Sequence, residues 1–312
     1  MLKFIKSRPY EGELGFGKTV TTSGRLMHSD GTFNVVRESN SNWHNVYFQL
    51  MIMNWGRFFL LMLISFGILN TIFALLYCVA GVENLNGIEP GTWKDNFTNA
   101  FFFSSQTLTT VGYGHISPHT FTTSLIASFE SFTGLLIFAL ISGLLYGRFS
   151  RPDAKIIFSE KMIIAPHRGG HGLMFRMGNA RKSELIETDV QVLATMNQRN
   201  GNGVIEREYF PLALEYSKIS FFSLSWTVVH YIDDQSPIWG LTQLELAEAN
   251  AEFLVLVKGI DEANQQMVHT RHSYINSEMA WNAKFNPIIM KNDAGIPVVK
   301  LQHIGDYSTG IN

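Results

Sequence analysis

The sequence predicts a mixed membrane α + β protein: two transmembrane helices with a short re-entrant helix between them, followed by a water-facing β-sandwich. Three observations carry this. Residues 58–79 and 122–147 are apolar stretches of 22 and 26 residues, each long enough to cross a hydrocarbon core of about 30 Å. Thr110-Val111-Gly112-Tyr113-Gly114 stands between them. After Arg151 the pattern changes to short alternating strands separated by Gly, Asn and Pro turns. Mean hydropathy is only +0.07 because the remainder of the chain is ordinary soluble sequence.

Residues 1–40, rich in Gly, Ser, Thr and Asn, read as an irregular cytoplasmic arm. In the segment 41–57, Trp43, Val46, Tyr47, Leu50 and Met51 fall on one helical face, opposite Asn42, His44, Asn45 and Gln49. That is an amphipathic helix suited to the headgroup surface. The membrane domain, 58–150, begins with the first span, and a polar loop with Pro90 and Gly91 follows. Asp95 is placed to cap a helix running through Phe101 to about Thr107, too short to cross a bilayer. The second span then completes the membrane domain. In residues 151–312, Ile186, Thr188, Val190 and Val192 share one face of a strand, as do Trp226, Val228, His230 and Ile232 in another. Phe253 to Val257 is a continuous apolar run, and a helix opened by the capping box Thr242 to Glu245 runs through Ala249.

Of 24 lysines and arginines, only Lys94 lies between the spans, which predicts cytoplasmic termini for a multi-pass protein of the cell (inner) membrane. The net charge of −2 says little about partners, and no polybasic run points to nucleic acid, so none is expected as a partner. Cys78 is the sole cysteine, so the outer loop is held without a disulfide. No GxSxG, HExxH or CxxC constellation is present, which predicts neither an enzyme nor a cofactor. Gly12 to Thr19 matches the phosphate pattern GxxxxGK[ST]. Pro9 before it and the β-branched stretch after it do not supply the strand and helix this motif needs.

The pentapeptide carries the chemistry. Thr110 and Val111 are expected to hold an extended backbone, while Gly112 and Gly114 allow the positive φ that aims successive carbonyls at one axis. Four copies around that axis would replace the water shell of K+ with the Thr110 hydroxyl and the carbonyls of Thr110, Val111, Gly112 and Tyr113. The short helix before it directs the negative end of its dipole toward the same cation. Glu130 is the only carboxylate or basic side chain inside either span, and a charge there costs about 2.5–3.5 kcal/mol. The expected partner is the filter-supporting helix near Gln106 or Thr107, and the competing reading is a water-facing position without a structural role. Tyr146, with Leu145 or Leu144, sits near the cytoplasmic end of the second span, where a ring of apolar side chains can exclude water. The competing reading is a lipid-facing interfacial tyrosine. His115 follows the filter directly and His119 is four residues on; Pro118 disfavours a helical metal pair, and plain solvent exposure is the reading preferred over a ring of four His115 that would make outer conductance pH-sensitive.

The run Gly147-Arg148-Phe149-Ser150-Arg151-Pro152, then Gly178-Asn179-Ala180-Arg181-Lys182-Ser183, resembles the prokaryotic branch of the inward-rectifier potassium channel family. His230 to Pro237, Ala249-Asn250-Ala251-Glu252-Phe253 and Arg271-His272-Ser273-Tyr274 extend the resemblance from Trp43 to about Tyr307. It implies an immunoglobulin-like cytoplasmic sandwich, a homotetramer, passive K+ conduction and a cytoplasmic vestibule that extends the pore. It also implies a cytoplasmic constriction at Glu262, Gln265, Gln266 and Met267, with Glu206, Glu208 and Glu262 as acidic rings that concentrate cations. Trp55, Arg57, Arg148, Arg151 and Lys155 become candidate contacts to membrane lipids, anionic ones included. Departures are equally specific. Phe138 stands where strong rectifiers carry an acid, Gln106 and Ile116 replace the charged pair that brackets the filter in animal members, and the constriction loop lacks the family's glycine. The rival from another class is a membrane-anchored sensor with a non-conducting pore.

Overall fold

The structure is a computed structural model describing residues 24–35, 46–150, 154–181, 183–199 and 203–310. The chain divides into two compact units, Glu38–Arg151 and Met1–Arg37 with Pro152–Asn312. The Gly12–Thr19 stretch, Trp43, Arg151 and Lys182 lie outside the described residues.

In the first unit the interfacial segment is not one helix. Helix α1, Val46–Ile52, stops before Asn54, whose side chain accepts from Gly56 N at 2.9 Å and starts α2, Trp55–Ala80. Trp55 and Arg57 therefore belong to the first turn of the first span. Helix α3, Trp93–Leu108, is capped by Thr92 rather than by Asp95. The Thr92 hydroxyl accepts from Asp95 N, and the Asp95 carboxylate returns the bond to Thr92 N at 3.2 Å, so Asp95 is the reciprocal half of a capping box. Helix α4, Phe121–Phe149, opens on a second box between Thr120 and Thr123. The spans are thus slightly longer than their apolar cores, because polar caps extend the helices past the hydrophobic limits. Two short strands, β1 (Leu85–Asn86) and β2 (Ser117–Pro118), pair antiparallel and close the loops on either side of α3 without a disulfide. Phe73, Ala74, Tyr77, Ala100, Phe103 and Leu108 form the buried seam between α2 and α3.

The second unit is a sandwich of two five-stranded sheets. One holds β3 (Ile156–Phe158), β4 (Met162–His167), β5 (Gly170–Asn179), β9 (Ser225–Ile232) and β12 (Met279–Trp281). The other holds β6 (Leu185–Arg199), β7 (Ile205–Pro211), β8 (Lys218–Phe222), β10 (Glu252–Asp261) and β11 (Gln266–Ile275). Pairing is antiparallel except between β12 and β4, which run parallel. Leu173, Phe175, Val192, Phe222, Phe253 and Val255 fill the interior. Two small hairpin-like pairs, β13 (Ala283–Phe285) with β16 (Tyr307–Thr309) and β14 (Ile289–Lys291) with β15 (Pro297–Val299), complete the unit. Helix α5, Gln243–Glu248, carries the expected Thr242 to Glu245 capping box.

Two strand expectations change. Glu187 takes φ +52° and the β6–β10 register shifts beside it, so a bulge flips the parity of the strand. Leu185, not Ile186, joins Val190 and Val192 in the core. The apolar run in β10 is continuous because its outer face is covered: Leu254 packs with Leu26, Met27 and Tyr209. Residues 24–35 are therefore ordered, a hairpin bridged at Met27 and Phe33 and docked on the second sheet, where an irregular arm was expected. Leu26 N and Met27 N donate to the Glu252 carboxylate at 2.8 and 3.0 Å. Arg25 pairs with Glu278 at 2.8 Å, and His272 Nδ1 donates to Ser29 O at 2.5 Å.

Burial against Phe158 and Tyr274 pushes His272 down from its ordinary 6.5 to about 4. The folded state then binds fewer protons than the unfolded chain in this window, so stability is lost as pH falls from 6.5 toward 4. Thermal midpoints of the full chain should fall across that interval, and less steeply in His272→Phe, which retains the stacking without the titration.

Candidate functional site

Helix α3 ends at Leu108, and Thr109 turns the chain out of it. The next residues are gripped by its last carbonyls: Thr110 N donates to Thr107 O at 3.1 Å, and Val111 N and Gly112 N both donate to Gln106 O at 2.9 and 3.2 Å. Gln106 and Thr107 support this segment through backbone oxygens, a role their side-chain types do not advertise. Positive φ occurs at Thr110 (+62°), Gly112 (+50°) and Gly114 (+81°) but not at Val111 or Tyr113. Thr110 is thus left-handed, not extended as its β-branched side chain suggests. The sign of φ alternates along the pentapeptide. Alternating handedness turns successive peptide planes the same way, which gathers the N–H groups on one side and the carbonyls on the other. Val111 and Tyr113 are 54% and 80% exposed in one chain, so the segment presents an open surface.

Behind it, Glu130 is fully buried, and its partners are not Gln106 and Thr107. Tyr77 Oη donates to Glu130 Oε2 at 2.7 Å, and Ser104 Oγ contacts Glu130 Oε1. Ser104 Oγ also meets Asn70 Oδ1 at 3.0 Å. Successive helical residues turn by about 100°, so Ser104 and Leu108 share an α3 face and Gln106 points away from it, while the Thr107 hydroxyl donates back to Phe103 O at 2.9 Å. One turn beyond Glu130, Gly134 lies so close to α3 that a Cβ there would sit 2.1 Å from Leu108 O. Asn70, Tyr77, Ser104 and Gly134 were not singled out from sequence. Asn70 could have been: an amide in one apolar span and a carboxylate in the other call for a common partner.

At the other end of α4, Tyr146 is 76% exposed, while Leu144 and Leu145 are half-buried. Arg148 is buried. Its guanidinium donates to Leu50 O and, at 2.5 Å, to Met53 O, and lies 4.5 Å from the ring centres of both Trp55 and Phe58. Arg148 and Trp55 thus clamp the end of α1 to α4, and Arg148 has no free face for a lipid headgroup. Arg57 and Lys155 are exposed.

In the sandwich unit, Glu262, Gln265, Gln266 and Met267 form the exposed tip between β10 and β11. Buried Asp261 shapes it, accepting from Ala263 N at 3.2 Å and facing Arg181 at 2.8 Å. Gln265 occupies φ +53°, the conformation that favours the glycine this loop lacks. Gln265→Gly should stabilise the unit by about 1 kcal/mol, read as a higher thermal midpoint. Glu206 and Glu208 are half-buried on β7.

A model of the inward rectifier potassium channel C-terminal domain matches residues 156–308, and an ion channel model matches residues 71–150. The chain is 37% identical over 264 residues to the inward rectifier potassium channel Kirbac3.1 of Paramagnetospirillum magnetotacticum, covering 84% of this chain and 88% of that relative. It is 26% identical over 294 residues to the G protein-activated inward rectifier potassium channel 2 of Mus musculus, covering 86% of this chain and 68% of the relative. An alignment to the structure of Pseudomonas fluorescens alkylpurine DNA glycosylase AlkC bound to DNA, at a TM-score of 0.18 and 9% identity, carries no argument. Two apolar helices around the TVGYG segment, a β-rich unit after them and relatives that match along most of the chain converge: the chain belongs to the inward rectifier potassium channel family, a class of membrane ion channels and not of enzymes.

Proposed function

We propose that four copies of the chain close around one axis in the cell membrane, termini on the cytoplasmic side, and pass K+ down its electrochemical gradient through the 110–114 segments. The observation that supports this most directly is the alternating φ at Thr110, Gly112 and Gly114, because it gathers four carbonyls per chain on one side. Rings of such oxygens take the place of the ion's hydration shell. Helix α3, 16 residues long, adds the negative end of its dipole at the entrance to the segment. The gate is Tyr146 with Leu145 and Leu144, whose ring excludes water when the four helices converge. Trp55, Arg57 and Lys155, with Arg151 outside the described residues, are the remaining candidates for contact with membrane lipid, anionic lipid included, and the Glu262 to Met267 tip for the cytoplasmic constriction.

Radioactive rubidium flux into liposomes, blocked by barium and compared with and without anionic lipid, tests conduction and lipid response together. Flux without discrimination between potassium and sodium, or a single-subunit protein in bilayers, defeats the reading. Tyr146→Ala should raise basal rubidium flux about tenfold, the effect of lowering a dewetting barrier by about 1.4 kcal/mol. Unchanged flux moves the gate elsewhere.

A further inference from the structure

Ser104 has one hydroxyl proton and stands between two oxygens, Asn70 Oδ1 at 3.0 Å and Glu130 Oε1. The Asn70 amide is held in that orientation, because its Nδ2 donates to Phe66 O at 2.7 Å and a flipped amide would set oxygen against oxygen there. Tyr77 gives its only proton to the second Glu130 oxygen. The row Asn70 Oδ1, Ser104 Oγ, Glu130 Oε1 therefore needs two protons, and serine supplies one. Asn70, Tyr77, Ser104 and Glu130 are all fully buried, and among the described residues no lysine, arginine or histidine pairs with the carboxyl.

We propose that Glu130 is carried as a neutral carboxylic acid and acts as a positioning residue through its proton rather than through a charge. Every contact is then satisfied in one direction: Tyr77 O–H to Glu130 Oε2, Glu130 O–H to Ser104 Oγ, Ser104 O–H to Asn70 Oδ1, and Asn70 N–H to Phe66 O. An ionised carboxylate would take the serine proton and leave Asn70 Oδ1 facing Ser104 without a donor, in a site sealed from water. The chain of bonds joins α2, α4 and α3, and it holds α3 at Ser104, two residues before Gln106, whose carbonyl accepts from Val111 and Gly112. Glu130 thereby positions the filter strand; this role rests on the channel reading above.

The test is infrared difference spectroscopy of full-length protein in liposomes at neutral pH, with rubidium flux on the same preparations. The wild type minus Glu130→Gln spectrum should contain the carbonyl stretch of a protonated acid, and that band should move in Ser104→Ala, which removes its acceptor. Glu130→Gln should conduct within about twofold of wild type, since a glutamine amide can donate to Ser104 and accept from Tyr77. Loss of carboxylate bands alone, or a Glu130→Gln protein that assembles like wild type but loses rubidium flux, overturns the inference. Wild-type protein that shows the acid band yet passes no rubidium removes the channel reading and the filter-positioning role, and leaves the protonation assignment standing.

Discussion

Gly134→Ala should lower rubidium flux by at least about tenfold, while Gly143→Ala, nine residues along the same helix, should leave assembly intact. The two glycines differ in what a methyl group would meet. At Gly134 the added Cβ would lie 2.1 Å from Leu108 O and 2.9 Å from Leu108 C, both backbone atoms, so no rotamer change relieves the overlap. At Gly143, among the described residues beyond its own stretch of helix backbone, nothing lies within 4 Å of the added Cβ. Pushing α3 away from α4 also strains the Glu130 to Ser104 contact one turn earlier, because the two rungs are spaced four residues apart on both helices. Overpacking of this kind costs about 1–3 kcal/mol where side chains can adjust, and here the obstacle is a helix terminus that carries the filter strand. Flux per assembled protein in liposomes is the measurement; a Gly134→Ala channel that conducts like wild type would mean that α3 and α4 do not approach this closely.

The spans, the short helix and the pentapeptide were legible because each depends on local composition: apolar length for the spans, Gly and Thr identity for the filter, hydroxyl and carboxylate spacing for the caps. What escaped the sequence is set by contacts between distant residues. Thr110 is left-handed because the carbonyls of Gln106 and Thr107 hold its own amide and the two after it, a constraint that overrides the preference of a β-branched side chain. Glu130 was assigned the right helix and the wrong residues, since proximity to the filter in sequence suggested Gln106 and Thr107, while helical rotation turns Gln106 away and the Thr107 hydroxyl bonds Phe103 O instead. Residues 24–35 looked irregular because their partners lie more than 200 positions away, with Leu26 meeting Glu252 across 226 residues and Arg25 meeting Ser273 across 248. No window along the chain contains both halves of such a contact.

The same docked hairpin makes Arg207→Leu the most damaging expected change in the sandwich unit. Arg207 and Glu252 are each 1% exposed and pair at 3.2 Å, with Arg207 Nε also donating to Thr195 Oγ1 at 2.9 Å. Burial pulls the guanidinium below its ordinary value and Glu252 pulls it back, so the two charges are kept by each other. The Glu252 carboxylate has a second task, accepting from Leu26 N and Met27 N, and these amides have no other acceptor among the contacts of the hairpin. Removing the arginine strands a buried carboxylate and should cost about 3–5 kcal/mol, seen as a large drop in the thermal midpoint of the full chain. Glu252→Gln separates the two tasks: it deletes the counter-charge but retains one acceptor oxygen for the arm. It should therefore also destabilise, and should in addition speed proteolytic cleavage within residues 24–35, because the hairpin is then held by one amide bond fewer. An Arg207→Leu protein within about 0.5 kcal/mol of wild type, the range of an unremarkable surface change, would show that the pair is solvated in the assembled protein and that the arm does not depend on it.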